Sequence, residues 1–148
     1  MNRLGFIVSV SCLVVSTATF VMGAAYDLVR QDLLKGVDAV DVIGGEPGAV
    51  WAFGENSFPL IVGDFWGTKV PVVSGAQLGK GRIVAFGHQG FFNADAFDAK
   101  KMKTFSDNIL QWLSGKKNDI LLVVHPSFHA AKTLGNLPGV QVRSLKKM

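Results

Sequence analysis

Three histidines, one cysteine and a few serines are the candidate imidazole bases and thiol or hydroxyl nucleophiles of this chain. His88 lies at the polar exit of the stretch Gln77-Leu78-Gly79-Lys80-Gly81-Arg82-Ile83-Val84-Ala85-Phe86-Gly87-His88-Gln89-Gly90-Phe91-Phe92. There it sits just past a strand, the edge at which open α/β sheets tend to bind ligands. Its imidazole has two readings, a general base or an anchor that hydrogen-bonds the loop from Gln89 to Phe92. His125 and His129 lie four apart, a zinc-like spacing on a helix, but Pro126 puts His125 at a strand end. With His88 the only further histidine, a closed metal site would need distant carboxylates such as Glu46 or Asp95, so no metal is expected. Ser74 before Gly75 lacks the Gly-x-Ser-x-Gly elbow. Gly79-Lys80-Gly81 lacks the longer phosphate cradle with Ser or Thr after its lysine. The chain is therefore expected to be no enzyme and to carry no cofactor.

The elements that would position these residues can be traced from periodicity. Tyr26, Val29, Leu33 and Val37 predict a short amphipathic helix that Gly36 helps to end. From Asp41 to Gly87, short apolar runs alternate with turn residues. The runs are Asp41–Ile43, Ala49–Phe53, Phe58–Val62, Val70–Gly75 and Arg82–Gly87, a meander of about five strands. Ile83 and Ala85 would face one side of the last strand, Val84 and Phe86 the other, and with both sides apolar the strand is expected in the sheet interior. Met102, Phe105, Ile109, Trp112 and Leu113 mark one face of a covering helix closed by Gly115. Ile120–Val124 reads as a buried parallel strand. A short helix from Pro126 and Ser127 to Gly135 and a strand over Val140–Arg143 then give an incomplete βαβ unit. The chain would be a piece of a larger product, or would pair its unfinished sheet with something else.

The first 25 residues stand apart. Met1-Asn2-Arg3 is a positive leader, Leu4 to Val15 is apolar, and Gly23 and Ala25 offer small residues for cleavage. Residues 1–25 are therefore expected to be a signal peptide and residues 26–148 a single α/β module, secreted or extracellular. The competing reading is an uncleaved anchor, because the uncharged stretch runs from Leu4 to Ala25 and a bilayer needs roughly 20 residues. Cleavage would remove Cys12, the one cysteine, and with it any disulfide or thiol nucleophile. The net charge of +4 comes from short clusters at Lys100, Lys101 and Lys103, at Lys116 and Lys117, and at Arg143, Lys146 and Lys147. Those fit a solvated helix face and a frayed terminus rather than a nucleic-acid groove.

Three runs in series carry a family resemblance. Pro47-Gly48-Ala49-Val50-Trp51-Ala52-Phe53-Gly54-Glu55-Asn56-Ser57-Phe58-Pro59-Leu60-Ile61-Val62, then Gly79 to His88, then Val124-His125-Pro126-Ser127 resemble the N-terminal region of the TRP-channel-associated factor (TCAF) family. Similar segments precede the catalytic domain of enhancin-like metallopeptidases. A looser likeness joins the Gly-Lys-Gly-Arg hairpin and its following helix to glutamine-amidotransferase-like domains. The resemblance implies an amidotransferase-like (flavodoxin-like) α/β fold and a non-catalytic role regulating a membrane channel. Its metallopeptidase branch implies instead an accessory domain that meets a glycoprotein or glycan. The binding residues expected for such a module are Trp66, Lys80, Arg82, His88, Phe91 and Phe92. Trp66, in a predicted turn, would stack on a sugar ring, enter a protein pocket, or fold back over the meander as a lid.

Overall fold

The computed structural model describes residues 26–40, 42–98, 100–115, 119–124, 128 and 131–145. The expected signal peptide with Cys12 lies outside the described residues, as do His125, Pro126, Ser127 and His129. The chain divides into two compact units, Met1–Asp32 and Leu33–Met148. Residues 26–33 are helical (α1) and a turn follows over 34–36, where Gly36 takes a φ of 73°. The helix thus stops one turn short of Val37.

In the larger unit three strands form an antiparallel meander, β1 (Ser57–Phe65), β2 (Thr68–Leu78) and β3 (Gly81–Phe86), in the order β1-β2-β3. Each connection is a two-residue turn set by glycine. Trp66 and Gly67 both take positive φ, 49° and 85°, the pattern of a type I′ turn, and the Gly67 amide donates to Asp64 Oδ1 at 2.8 Å. Gly79, at φ 58°, occupies the first central position of the second turn, as a type II′ turn requires.

The expected five-strand meander is corrected to three. Residues 42–43 and 49–53 are not strands, because Gly44 and Gly45 take φ values of 87° and 158° and Pro47 has no amide to donate. The segment is still clipped to the sheet. The Gly48 amide donates to the Gly87 carbonyl (3.1 Å), the Val50 amide to the Pro71 carbonyl (2.7 Å), and Ser74 Oγ to the Val50 carbonyl (2.7 Å).

A second correction concerns β3. Among the described residues it is an edge strand rather than an interior one, with Ile83 63% exposed and Ala85 exposed, while Arg82, Val84 and Phe86 are half-buried. Apolar residues on both faces of a strand report what each face tolerates, not how many strands lie beside it.

The covering helix forms as expected. α3 (Lys100–Ser114) follows a short α2 (Ala94–Asp98), and Gly115 at φ 72° ends it. Met102, Phe105 and Ile109 are buried; Phe105 meets Phe86 at 6.2 Å and Trp112 meets Phe58 edge-on at 6.1 Å. Leu113, placed on that face by its spacing, lies at the exposed rim. From the first turn of α3, Lys101 bonds Asp38 at 2.6 Å and holds that exposed carboxyl below the usual aspartate range.

The other side of α3 carries Leu110 into a second cluster with Phe97, Leu134 and Leu137, against which Ile120, Leu122, Phe128 and Val140 pack. This cluster covers a βαβ unit built from β4 (Ile120–Val124), α4 (Ala131–Gly135) and β5 (Val140–Ser144), with β4 and β5 parallel from Ile120↔Val140 to Val124↔Ser144. β4 was expected to be buried on both faces. Only one face is covered, and Leu121 and Val123 are 57% and 50% exposed. The fold is mixed α/β, but its described strands form a three-stranded antiparallel sheet and a separate parallel pair, not the single parallel sheet of a flavodoxin-like arrangement.

Glycine is demanded most strictly at Gly87. A Cβ there would penetrate the Gly48 carbonyl, whereas a Cβ on Gly48 would meet the Gly87 oxygen at an ordinary 3.6 Å. Gly87→Ala is therefore expected to destabilise the protein by about 2 kcal/mol or more, and Gly48→Ala by under about 1 kcal/mol. Urea unfolding midpoints check this, and equal losses would contradict the close approach.

Candidate functional site

The turn after β3 places three of the six residues expected to bind, His88, Phe91 and Phe92. His88 is extended (φ −157°, ψ 143°) and caps the 3-10 turn Gln89–Phe92, its Nδ1 accepting from the Gly90 amide at 2.9 Å. In the neutral imidazole this leaves the proton on Nε2. That nitrogen stands 2.8 Å from where a Cβ of residue 45 would be, so Gly45 is what lets the preceding loop lie against the ring. Gly90 is buried against the Ile43 carbonyl in the same way. The turn directs Phe91 and Phe92 inward. Phe91 is fully buried, and Phe86 meets Phe91 and Phe92 at 5.5 and 4.6 Å. Phe92 continues to Phe128 at 6.0 Å.

Arg82 also faces the interior. Its Nη1 donates to the Trp112 carbonyl at the C-terminal end of α3, and its guanidinium lies over the Trp112 ring at 5.5 Å. A cation is favourable at that end of a helix, where the last carbonyls have no intrahelical partner. The arginine thus fastens the β2–β3 hairpin to α3.

Lys80 and Trp66 occupy the tips of the two hairpins, and both are exposed. Trp66 does not fold back as a lid; its side chain is as accessible as in an extended chain. A bulky residue at positive φ is disfavoured, and here it makes no packing contact that would repay the strain.

Beside Trp66 lies an open cleft of about 240 Å³ lined by Glu46, Pro47, Gly63, Asp64, Phe65 and Trp66. Sequence reasoning named Trp66 as a binding residue and Glu46 only as a distant carboxylate. It missed that they meet, and it passed over Asp64. The only local signal was an acid at a hairpin end, which also serves the turn itself. Among the described residues no group of three or more His, Cys, Asp or Glu could hold a metal ion. No described helix is long and apolar enough to cross a membrane.

Replacing Arg82 by Met keeps the apolar stem and removes the cation. A loss of about 1–3 kcal/mol is expected in thermal or urea unfolding, against a change within about 0.5 kcal/mol for Lys80→Ala. Equal, small effects would separate the hairpin from α3.

No solved structure matches the chain. TRPM8 channel-associated factor 1 from Homo sapiens and from Pongo abelii is each 28% identical over 96 residues, 64% of this chain and 10% of the relative. The Bos taurus protein of the same name is 28% identical over 96 residues, 63% of this chain and again 10% of the relative. The matched stretch thus spans about a tenth of those proteins. The family model TCAF_N, described as "TRPM8, N-terminal domain", matches residues 7–146. On that match the chain belongs to the TCAF_N family.

Proposed function

We propose that this chain is a non-catalytic binding module that associates with a membrane protein of the ion-channel type at a membrane surface, from the extracellular side if residues 1–25 act as a leader. The observation that carries this reading is family membership alongside relatives named for association with the TRPM8 channel. The geometry supports it in a specific way. Of the six residues expected to bind, Arg82, His88, Phe91 and Phe92 have structural partners inside the fold, and Trp66 and Lys80 stand free at the hairpin tips. An exposed tryptophan is the side chain most apt to anchor an interface, since it brings a large apolar area at low conformational cost.

The test is binding of the purified chain to TRPM8 reconstituted in nanodiscs, measured by biolayer interferometry. Binding is expected for the unaltered chain. Trp66→Ala should weaken it at least tenfold, about 1.4 kcal/mol, and Lys80→Glu less strongly, while both variants keep the melting temperature. Failure of the unaltered chain to bind at micromolar concentration would overturn the channel reading. Binding that disappears when the channel's glycans are removed would favour the accessory-domain reading instead.

A further inference from the structure

The cleft beside Trp66 combines three features that single out one kind of guest. An indole stands fully exposed at a backbone angle that favours glycine. Two carboxylates, Glu46 and Asp64, share the lining with Phe65 and Pro47. The chain around them is net basic, so this is a local inversion of its charge. We infer that the cleft receives an arginine side chain of the partner protein, its guanidinium stacked on Trp66 and held by the carboxylate of Glu46.

The chemistry of each wall leads to that guest. A cation over an indole face is attracted by the ring quadrupole, and tryptophan is the strongest aromatic partner for it. Arginine is preferred to lysine because its planar, weakly hydrated guanidinium can stack on a ring while its N–H groups reach a carboxylate in the same plane. Asp64 is partly engaged already, accepting from the Gly67 amide at 2.8 Å and facing Lys69 Nζ at 3.8 Å. Glu46 is exposed with no hydrogen bond or ion pair among the described residues, which leaves its carboxylate for the incoming cation. The type I′ turn fixes the backbone that carries the indole, since residues 66 and 67 are closed between paired Phe65 and Thr68. Little backbone entropy is then lost on binding. A neutral sugar would stack on the indole and donate hydroxyls to the carboxylates, but it would leave their negative charge uncompensated.

This inference rests on the binding-module reading and names what one part of that surface recognises. The probe is N-acetyl-arginine methylamide, titrated into the full chain and followed by amide and indole chemical shifts, with the citrulline analogue as its uncharged isostere. Shifts are expected at Trp66, Glu46, Gly63 and Asp64, with at least fivefold weaker binding of the citrulline compound. Glu46→Gln, at an exposed position, should reduce arginine binding about three- to tenfold without moving the melting temperature. Trp66→Leu should abolish it while a bulky apolar side chain remains.

Equal response to both compounds, shifts centred elsewhere, or stronger response to N-acetylglucosamine than to arginine would overturn the assignment. The two readings fail separately. Channel binding that survives Glu46→Gln unchanged would remove the arginine assignment and leave the binding module. Arginine capture without channel binding would do the reverse.

Discussion

The turn Gln89–Phe92 is the joint on which both halves of the larger unit depend. Its geometry is held by hydrogen bonds from the Gly90 amide to His88 Nδ1 and from the Asn93 and Ile43 amides to the Gly90 carbonyl, and by glycines at 45, 87 and 90 that let neighbouring backbone come within contact distance. Because the turn is tight, Phe91 and Phe92 are delivered inward together. Phe91 joins the antiparallel sheet and α3 through Phe86, and Phe92 passes from Phe86 to Phe128 in the second cluster. A buried phenylalanine contributes on the order of 1.5–3 kcal/mol by leaving water, and these rings do so while linking two otherwise separate sheets. The imidazole that looked like a catalytic candidate has its acceptor committed to holding this joint.

The same economy explains where binding capacity remains. Arg82 donates to the Trp112 carbonyl, which also accepts from the Gly115 amide at the end of α3, and stacks on Trp112, so the hairpin bearing Lys80 is fixed at its base and free only at its tip. The β1–β2 hairpin is fixed by its register from Ser57↔Ala76 to Phe65↔Thr68 and ends in a strained turn with an exposed indole. The positive φ is what the type I′ turn requires, but a tryptophan in place of Asn, Asp or Gly at that position has no folding rationale, which directs attention to contact with something outside the chain. The apolar residues left outward on β3 and β4 are of a different kind. They lie along edges and faces of the sheets rather than at a rigid, polar-lined concavity.

Much of the local structure was legible in the residues. Gly-Lys-Gly and Trp-Gly mark two-residue hairpin turns because positive φ is needed there. The 3.6-residue spacing of Met102, Phe105 and Ile109 marks α3, and Gly115 its end. The order of strand, helix and strand after Ile120 marks the βαβ unit. Local sterics and side-chain period govern all of these, and both are written in short windows of sequence. The resemblance to the TCAF family was legible for a related reason, since it rests on runs of residues in order.

What the chain alone determined, then, was which segments turn, which extend and which coil. Only the tertiary structure decided which strand has a neighbour on each side, so Ile83 to Phe86 became an edge although both of its faces are apolar. It also decided that His88, Phe91 and Phe92 turn inward, and that Glu46 and Asp64, 18 residues apart, meet beside Trp66. Period and turn preference act over a few residues, whereas strand order, burial and the convergence of loops are set by long-range packing that no single stretch of sequence encodes.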